Sequence, residues 1–174
     1  RGCTQGCRFC NAGFIYRPVR ERSVDELVNH VTTVIQNTGY DEISLASLST
    51  SDYSQLSALL NRLTRVLEPQ MVNISFPSLR TETFSLEMAR YARKVKKSGL
   101  TLAPEAGTER LRRVINKTNS NEDLLRAIQI AFNEGWDKVK LYFMIGQPGE
   151  TTEDLDGIAK LIHDVIKLSN KYRR

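Results

Sequence analysis

Apolar residues along the chain recur in two rhythms, and their alternation predicts an order of helices and strands. Ser23-Val24-Asp25-Glu26 reads as a capping box, and Leu27, Val31, Val34 and Ile35 follow on one helix face until Gly39. The short apolar run Glu42-Ile43-Ser44-Leu45-Ala46 reads as a strand. Asp52 with Gln55 caps the next predicted helix, whose stripe Leu56, Leu59, Leu60, Leu63, Leu67 stops near Pro69. Met71 to Phe76 reads as a second strand closed by Pro77. Phe84 to Lys96 carries the helical stripe Phe84, Met88, Tyr91, Ala92, Val95, with Gly99 as its C-cap. Leu100 to Pro104 is a third predicted strand. Thr108 opens a short helix to Ile115, and Asn119 or Ser120 caps a longer one to Phe132. Lys138 to Ile145 is the fourth and most apolar strand, and Thr151-Thr152-Glu153-Asp154 caps a last helix reaching about Ser169.

Near-continuous apolar strands alternating with helices specify an α/β fold, a parallel sheet covered by helices. In such sheets chemistry collects in the loops after the carboxyl ends of the strands. Four such loops are polar or rich in Gly and Pro: Ser47 to Tyr53, Pro77 to Arg80, Pro104 to Gly107, and Gly146 to Glu150. All four are expected to face one mouth. No Pro/Gly/Ser-rich linker interrupts residues 1–174, so one domain is expected. Only Arg1 and Gly2 stand ahead of the first cysteine, so the strand before that loop, and a last strand after residue 174, are expected to lie outside this fragment of a longer protein.

Composition narrows the class. The 174 residues are 40% hydrophobic and 26% charged, as in a globular domain with a real core. No run approaches the roughly 18 apolar residues of a membrane span, and the start has no apolar leader, so a cytoplasmic protein without a membrane partner is expected. The net charge of +5 comes largely from Arg17, Arg20 and Arg22 and from Lys171, Arg173 and Arg174. Without a long basic run or interleaved aromatics, nucleic acid is not indicated, and a solvated surface is the plainer reading.

All three cysteines, Cys3, Cys7 and Cys10, lie within the first ten residues. They are too crowded to staple distant parts of a fold. A C-x3-C-x2-C loop instead gathers three thiolates around one small volume, with Gly2 and Gly6 permitting the tight path. Two readings follow. Zinc wants a fourth protein ligand, and His30 and His163 both sit in predicted helices away from the loop. An iron–sulfur cluster held by three cysteines leaves one iron open.

Cys3-x3-Cys7-x-Phe9-Cys10, with its aromatic just before the last cysteine, resembles the signature of radical S-adenosylmethionine (SAM) enzymes. The longer stretch RGCTQGCRFCNAGFIYRPVRERS is similar to the uncharacterised bacterial radical SAM proteins that carry a cobalamin-binding-type domain upstream, the YgiQ-like group. The resemblance runs through SLSTSDYS, APEAGTERLRRVINK and FMIGQPGET, nearly the whole chain. It implies a partial (β/α) TIM-like barrel whose first strand is missing from the fragment. It further implies that Cys3, Cys7 and Cys10 hold a 4Fe-4S cluster, with the amino and carboxylate groups of SAM on the fourth iron. One electron from a donor such as flavodoxin or ferredoxin then gives a 5′-deoxyadenosyl radical, which abstracts hydrogen from a substrate the sequence does not identify. Cobalamin, through the upstream domain, is implied as a further cofactor.

The resemblance also assigns positions around SAM. Phe9 belongs to the cysteine signature; as a bland alternative it is ordinary packing. Ser49-Thr50-Ser51-Asp52 stands where relatives have a Gly-Gly-Glu-like stretch for the SAM amino group, and the departure leaves Ser49, Ser51 and Asp52 as candidates through hydroxyl, carboxylate or backbone carbonyl. Glu105 matches a polar position at a strand end, suited to ribose hydroxyls or an ammonium; its alternative is to cap the helix near Thr108. Lys117 falls where a basic residue meets the SAM carboxylate, against the alternative of a solvated loop lysine. Ile145 and Gly146 match the adenine-side backbone. Two rival functions remain: a zinc- or cluster-stabilised module that holds RNA without turnover, and methylthiotransfer to tRNA or a ribosomal protein, which calls for a further cluster and a basic RNA-binding appendage.

Overall fold

Where an apolar stripe meets a good cap, the expected helix forms. The computed structural model describes residues 1–75, 79–93 and 100–172. A one-turn helix α1 (Ala12–Ile15) follows the cysteines, and α2 (Val24–Thr38) opens on a reciprocal capping box in which Glu26 N–H donates to Ser23 Oγ and Ser23 N–H to the Glu26 carboxylate. Gly39 ends α2 in the left-handed region that favours glycine. The remaining helices are α3 (Leu56–Leu67), α4 (Leu86–Arg93), α5 (Glu109–Val114), α6 (Asn121–Asn133) and α7 (Thr152–Asn170). Thr108 caps α5 by accepting from Leu111 N–H, and Ser120 caps α6 with Asp123 as its reciprocal partner. The predicted residues 94–99, including Val95 and the Gly99 cap, lie outside the described residues, as do Phe76 and Pro77.

One predicted cap fails. Gln55 precedes α3 without a side-chain cap bond, and Asp52 sits in a short 3-10 turn (Thr50–Asp52). Its carboxylate accepts from Gln5 Nε2 at 2.9 Å instead. The amide of Ser54, just ahead of α3, donates to the Glu21 carboxylate at 3.0 Å.

The strands pair in parallel as two separate ladders: β1 (Glu42–Ser44) with β2 (Asn73–Ser75), and β3 (Leu100–Glu105) with β4 (Val139–Phe143). The expected single sheet curling into a partial barrel is therefore seen only as two pairs, with no barrel among the described residues. β1 stops early because Ala46 N–H turns back onto Ser44 O at 3.1 Å and Thr50 Oγ1 takes Leu45 O at 2.8 Å, which withdraws the chain from the ladder. Residues 76–78, directly after β2, lie outside the described set. Among the described residues, the edge of β1 away from β2 is unpaired.

The core forms where the stripes meet these pairs. Leu59, Leu60, Leu63 and Leu67 of α3, Val28, Val31 and Ile35 of α2, and Leu124, Ala127, Ile128 and Ala131 of α6 are buried with Ile74, Leu100 and Leu102. No described helix is long and apolar enough to cross a membrane.

Two local features place the strand-end loops. In β3 the register shifts between Leu102, opposite Leu141, and Glu105, opposite Phe143. One extra residue is thus accommodated around Pro104, which has no N–H to give the ladder. Beyond it Glu105 adopts φ 69°. Just after, Gly107 packs directly on α7: a Cβ there would lie 2.3 Å from Asp154 O and 2.3 Å from Ile158 N, and one on Gly157 would lie 2.8 Å from Thr108 Cγ2. Only hydrogen fits on either side of this crossing. Gly107→Ala is accordingly expected to destabilise the chain by about 3 kcal/mol, read as a lowered urea midpoint; an unchanged midpoint would contradict this close approach.

Candidate functional site

The three thiols lie on a loop that has no ladder of its own. Cys3, Cys7 and Cys10 are each half-buried and free of disulfides. Gly2, at φ +102°, lets the returning chain cross so closely that a Cβ would sit 2.6 Å from Tyr16 O. Cys10 N–H closes a turn on Cys7 O at 3.0 Å, and Arg20 N–H pairs with Arg1 O at 2.7 Å.

Neighbouring elements hold the loop on two sides. Gln5 reaches Asp52 in the turn after β1. On the other side, Asn116 Nδ2 donates to Gly6 O at 2.9 Å and Gln5 O at 3.3 Å, while Arg8 donates from its backbone to Ile115 O at 2.9 Å and from its guanidinium to Val114 O. The turn that follows α5 is itself fixed from beneath. Arg112, fully buried, donates to Ala106 O, Asn119 O and Asn121 Oδ1. Burial pushes its pKa down, and the charges of Glu109 and Glu82 oppose that.

Electrostatics gathers the same groups. Burial raises the Cys7 pKa, the cations Lys117 and Arg80 pull it down, and Cys10 and Cys3 push it up again. Three sulfurs and two cations therefore share one neighbourhood. Among the described residues no three His, Cys, Asp or Glu side chains form a group that holds a single metal ion. One zinc would require sulfurs converging to about 2.3 Å from a common point, whereas in a cluster each thiolate binds a different iron. The donor set fits the cluster better than the ion.

A cavity of about 990 Å³ opens between the cysteine loop, α2, β1 and the Ser47–Tyr53 loop, at the upper end of small-molecule sites. Cys3, Ser49, Thr50 and Asp52 line it with the apolar Val31 and Ile43. Ser49 Oγ is buried and has no hydrogen-bond partner among the described residues. Ser51 is turned elsewhere: its Oγ accepts from Arg80 N–H at 3.4 Å.

The other candidates form a second group at the ends of β3 and β4. Glu105 and Lys117 are paired at 3.0 Å, both side chains largely buried, and Lys117 Nζ also donates to Ala103 O at 2.5 Å. That carbonyl sits beside the β3 irregularity. Glu105 thus does not cap α5, and Lys117 is not a solvated loop lysine. Gln147 Nε2 bridges Glu105 O and Met144 O, and Met144 N–H donates to Glu105 O at 2.8 Å, so the loop after β4 is fastened to the end of β3. Gly146, at φ +85°, has nothing within 4 Å of an added Cβ, and Ile145 is 76% exposed. Phe9 is 44% exposed. His30 and His163 lie exposed on α2 and α7.

Sequence reasoning passed over Gln5, Asn116 and Gln147. Asn116 carried one signal, an Asn just past a helix end, where the left-handed conformation is favoured; its φ is 56°. Gln5 and Gln147 carried none. Asp154 was legible as a capping residue, but it does more. Only 1% exposed, it accepts from Thr108 Oγ1 and Arg110 as well as from Thr151 N–H and Oγ1, tying the loop after β3 to the start of α7.

Burial alone would raise the Asp154 pKa, but the hydrogen bonds from Thr108, Thr151 and Arg110 outweigh it and hold the carboxyl far below the usual carboxylate range. A pKa depressed on folding contributes stability that is complete above the unfolded value near ~3.9 and is lost as pH falls toward the folded one. Stability of the chain is thus expected to decline on acidification below about pH 4, and Asp154→Asn to be less stable at neutral pH with a flatter acid limb. Urea midpoints from pH 7 to pH 2 check this; parallel curves for the two chains would refute it.

Comparison with known proteins places these observations. The family model of the radical SAM superfamily matches residues 1–162. An uncharacterised protein of Methanocaldococcus jannaschii is 39% identical over 96% of this chain and 36% of its own length. The ribosomal protein uS12 methylthiotransferase RimO of a Thermotoga strain is 24% identical over 94% of this chain and 40% of its own. A tRNA-2-methylthio-N(6)-dimethylallyladenosine synthase of a Wolbachia strain is 23% identical over 94% of this chain and 39% of its own. The chain spans well under half of these relatives. None of these matches supports cobalamin.

Proposed function

The chain belongs to the radical SAM superfamily, and from that membership we propose that it supplies the core of an enzyme that reductively cleaves SAM and abstracts hydrogen from a substrate. The observation that carries the reading is the cysteine loop with its three free, half-buried thiols, held by Asn116 and Arg8 against the turn that carries Lys117. In this reading Cys3, Cys7 and Cys10 ligate three irons of a 4Fe-4S cluster. Held there, such a cluster would supply, with SAM and one electron from a reduced donor protein, the radical chemistry for hydrogen abstraction.

The chain's own residues bind and orient. Ser49 Oγ and the carboxylate of Asp52, beside Cys3 at the cavity wall, suit an ammonium group. Glu105 and Lys117 act as one ion-paired unit, with the lysine facing a carboxylate and the glutamate ribose hydroxyls or an ammonium. The open backbone at Gly146 and the exposed Ile145 suit a flat base. Apolar walls on α2 and β1 exclude water from one side of the cavity.

Methylthiotransfer is a second reading, favoured by the names of two relatives. At 23–24% identity those names do not fix the substrate. The longer protein separates the two: a second cluster and thiomethylated product support transfer, and 5′-deoxyadenosine with one cluster supports hydrogen abstraction alone.

Anaerobic reconstitution with iron and sulfide is expected to give about four irons per chain and SAM-dependent 5′-deoxyadenosine on reduction. One tightly bound zinc and no nucleoside would return the chain to a structural metal module. Cys7→Ala should abolish cluster assembly; retained brown absorbance would contradict its role. Lys117→Ala is expected to weaken SAM binding by about 1–3 kcal/mol in titration calorimetry, and unchanged affinity would restrict Lys117 to pairing with Glu105.

A further inference from the structure

The residues on either side of Cys7 are held by a single short turn. Asn116 gives both hydrogens of its side-chain amide to the carbonyls of Gln5 and Gly6, just before Cys7. Arg8, just after Cys7, gives its backbone N–H to Ile115 O and its guanidinium to Val114 O. Both partners of the Asn116 amide are carbonyl oxygens, which fixes its NH2 group, not its oxygen, toward the loop. Among the described residues no backbone N–H donates to either carbonyl, so the amide is what satisfies them. The turn is also unusual in its backbone. Asn116 occupies the left-handed region, which asparagine tolerates and which glycine would occupy more readily. If conformation alone mattered, glycine would serve; the amide is what glycine lacks.

We infer that Asn116 is a positioning residue, the donor of a clamp built from residues 114–116 that brackets Cys7 and sets its sulfur for ligation. This rests on the proposed cluster role of the cysteines. It is distinct from the Lys117–Glu105 pair, which lies on the β3 side of the same turn. The chain from core to clamp is continuous: Arg112 anchors α5 to Ala106 and Asn119, α5 carries the turn, and the turn grips the loop.

Asn116→Gly keeps the backbone conformation and removes the donor. Asn116→Asp keeps the shape but turns a negatively charged acceptor on two carbonyls. Three measurements on each chain decide the matter: thermal unfolding, the rate at which reconstituted iron is lost to bathophenanthroline disulfonate, and amide hydrogen exchange of Arg8 in the iron-free chain. The expected result is a glycine variant that unfolds within a few degrees of the parent, loses iron about tenfold faster, and exchanges the Arg8 amide about tenfold faster while α6 is unchanged, with the aspartate variant equal or worse. Parental exchange at Arg8 in the folded glycine variant overturns the clamp, whatever the iron does. If the glycine variant does not fold, the aspartate variant is read by the same criterion. If the parent chain itself takes up no iron, the cluster reading falls, and Arg8 exchange alone still decides whether the clamp exists.

Discussion

The loop that carries all three cysteines has no regular ladder for its backbone, and this constraint organises the rest of the molecule. The polar groups of the cysteine loop find partners on other elements: Gln5 on Asp52, the Gln5 and Gly6 carbonyls on Asn116, Arg8 on the last carbonyls of α5. The loop is thus specified by residues 47 to 111 positions away in sequence, and Arg112, buried beneath the turn after α5, carries that specification into the core.

A second set of ties fastens the strand-end loops together. The Gly107–Gly157 crossing, the Asp154 network and the Gln147 bridge lock the loop after β3, the loop after β4 and the start of α7 into one unit. Glu105, Lys117 and Gly146 are carried on that unit, while Cys3, Ser49 and Asp52 border the cavity on the β1 side. The cysteine loop joins the two halves, because it is bonded to both.

Much of this was legible in the chain. Capping boxes at Ser23 and Ser120, and the leucine stripe of α3, fix short-range geometry that any sequence window contains. The cysteine spacing and the residues carried by the family resemblance pointed to the loops where the free thiols, the cavity and the Glu105–Lys117 pair lie. What was not legible depends on long-range contact. Asp52 read as a helix cap because Asp favours such sites, but Gln5 lies 47 residues away and takes its carboxylate. The pairing of Glu105 with Lys117 follows from a strand irregularity that no local pattern announces. The early end of β1 likewise follows from where the chain turns out of its ladder with β2, which the apolar run Ile43-Ser44-Leu45-Ala46 hides.

The added residue near Pro104 has a consequence in parity. Along β3, burial alternates from Leu100 inward to Glu105 outward. Take out one residue, and the carboxylate moves one step earlier in the alternation, onto the side where Leu102 and Pro104 are buried. A count of one amino acid thus decides whether this acid faces its lysine or the oil of the interior.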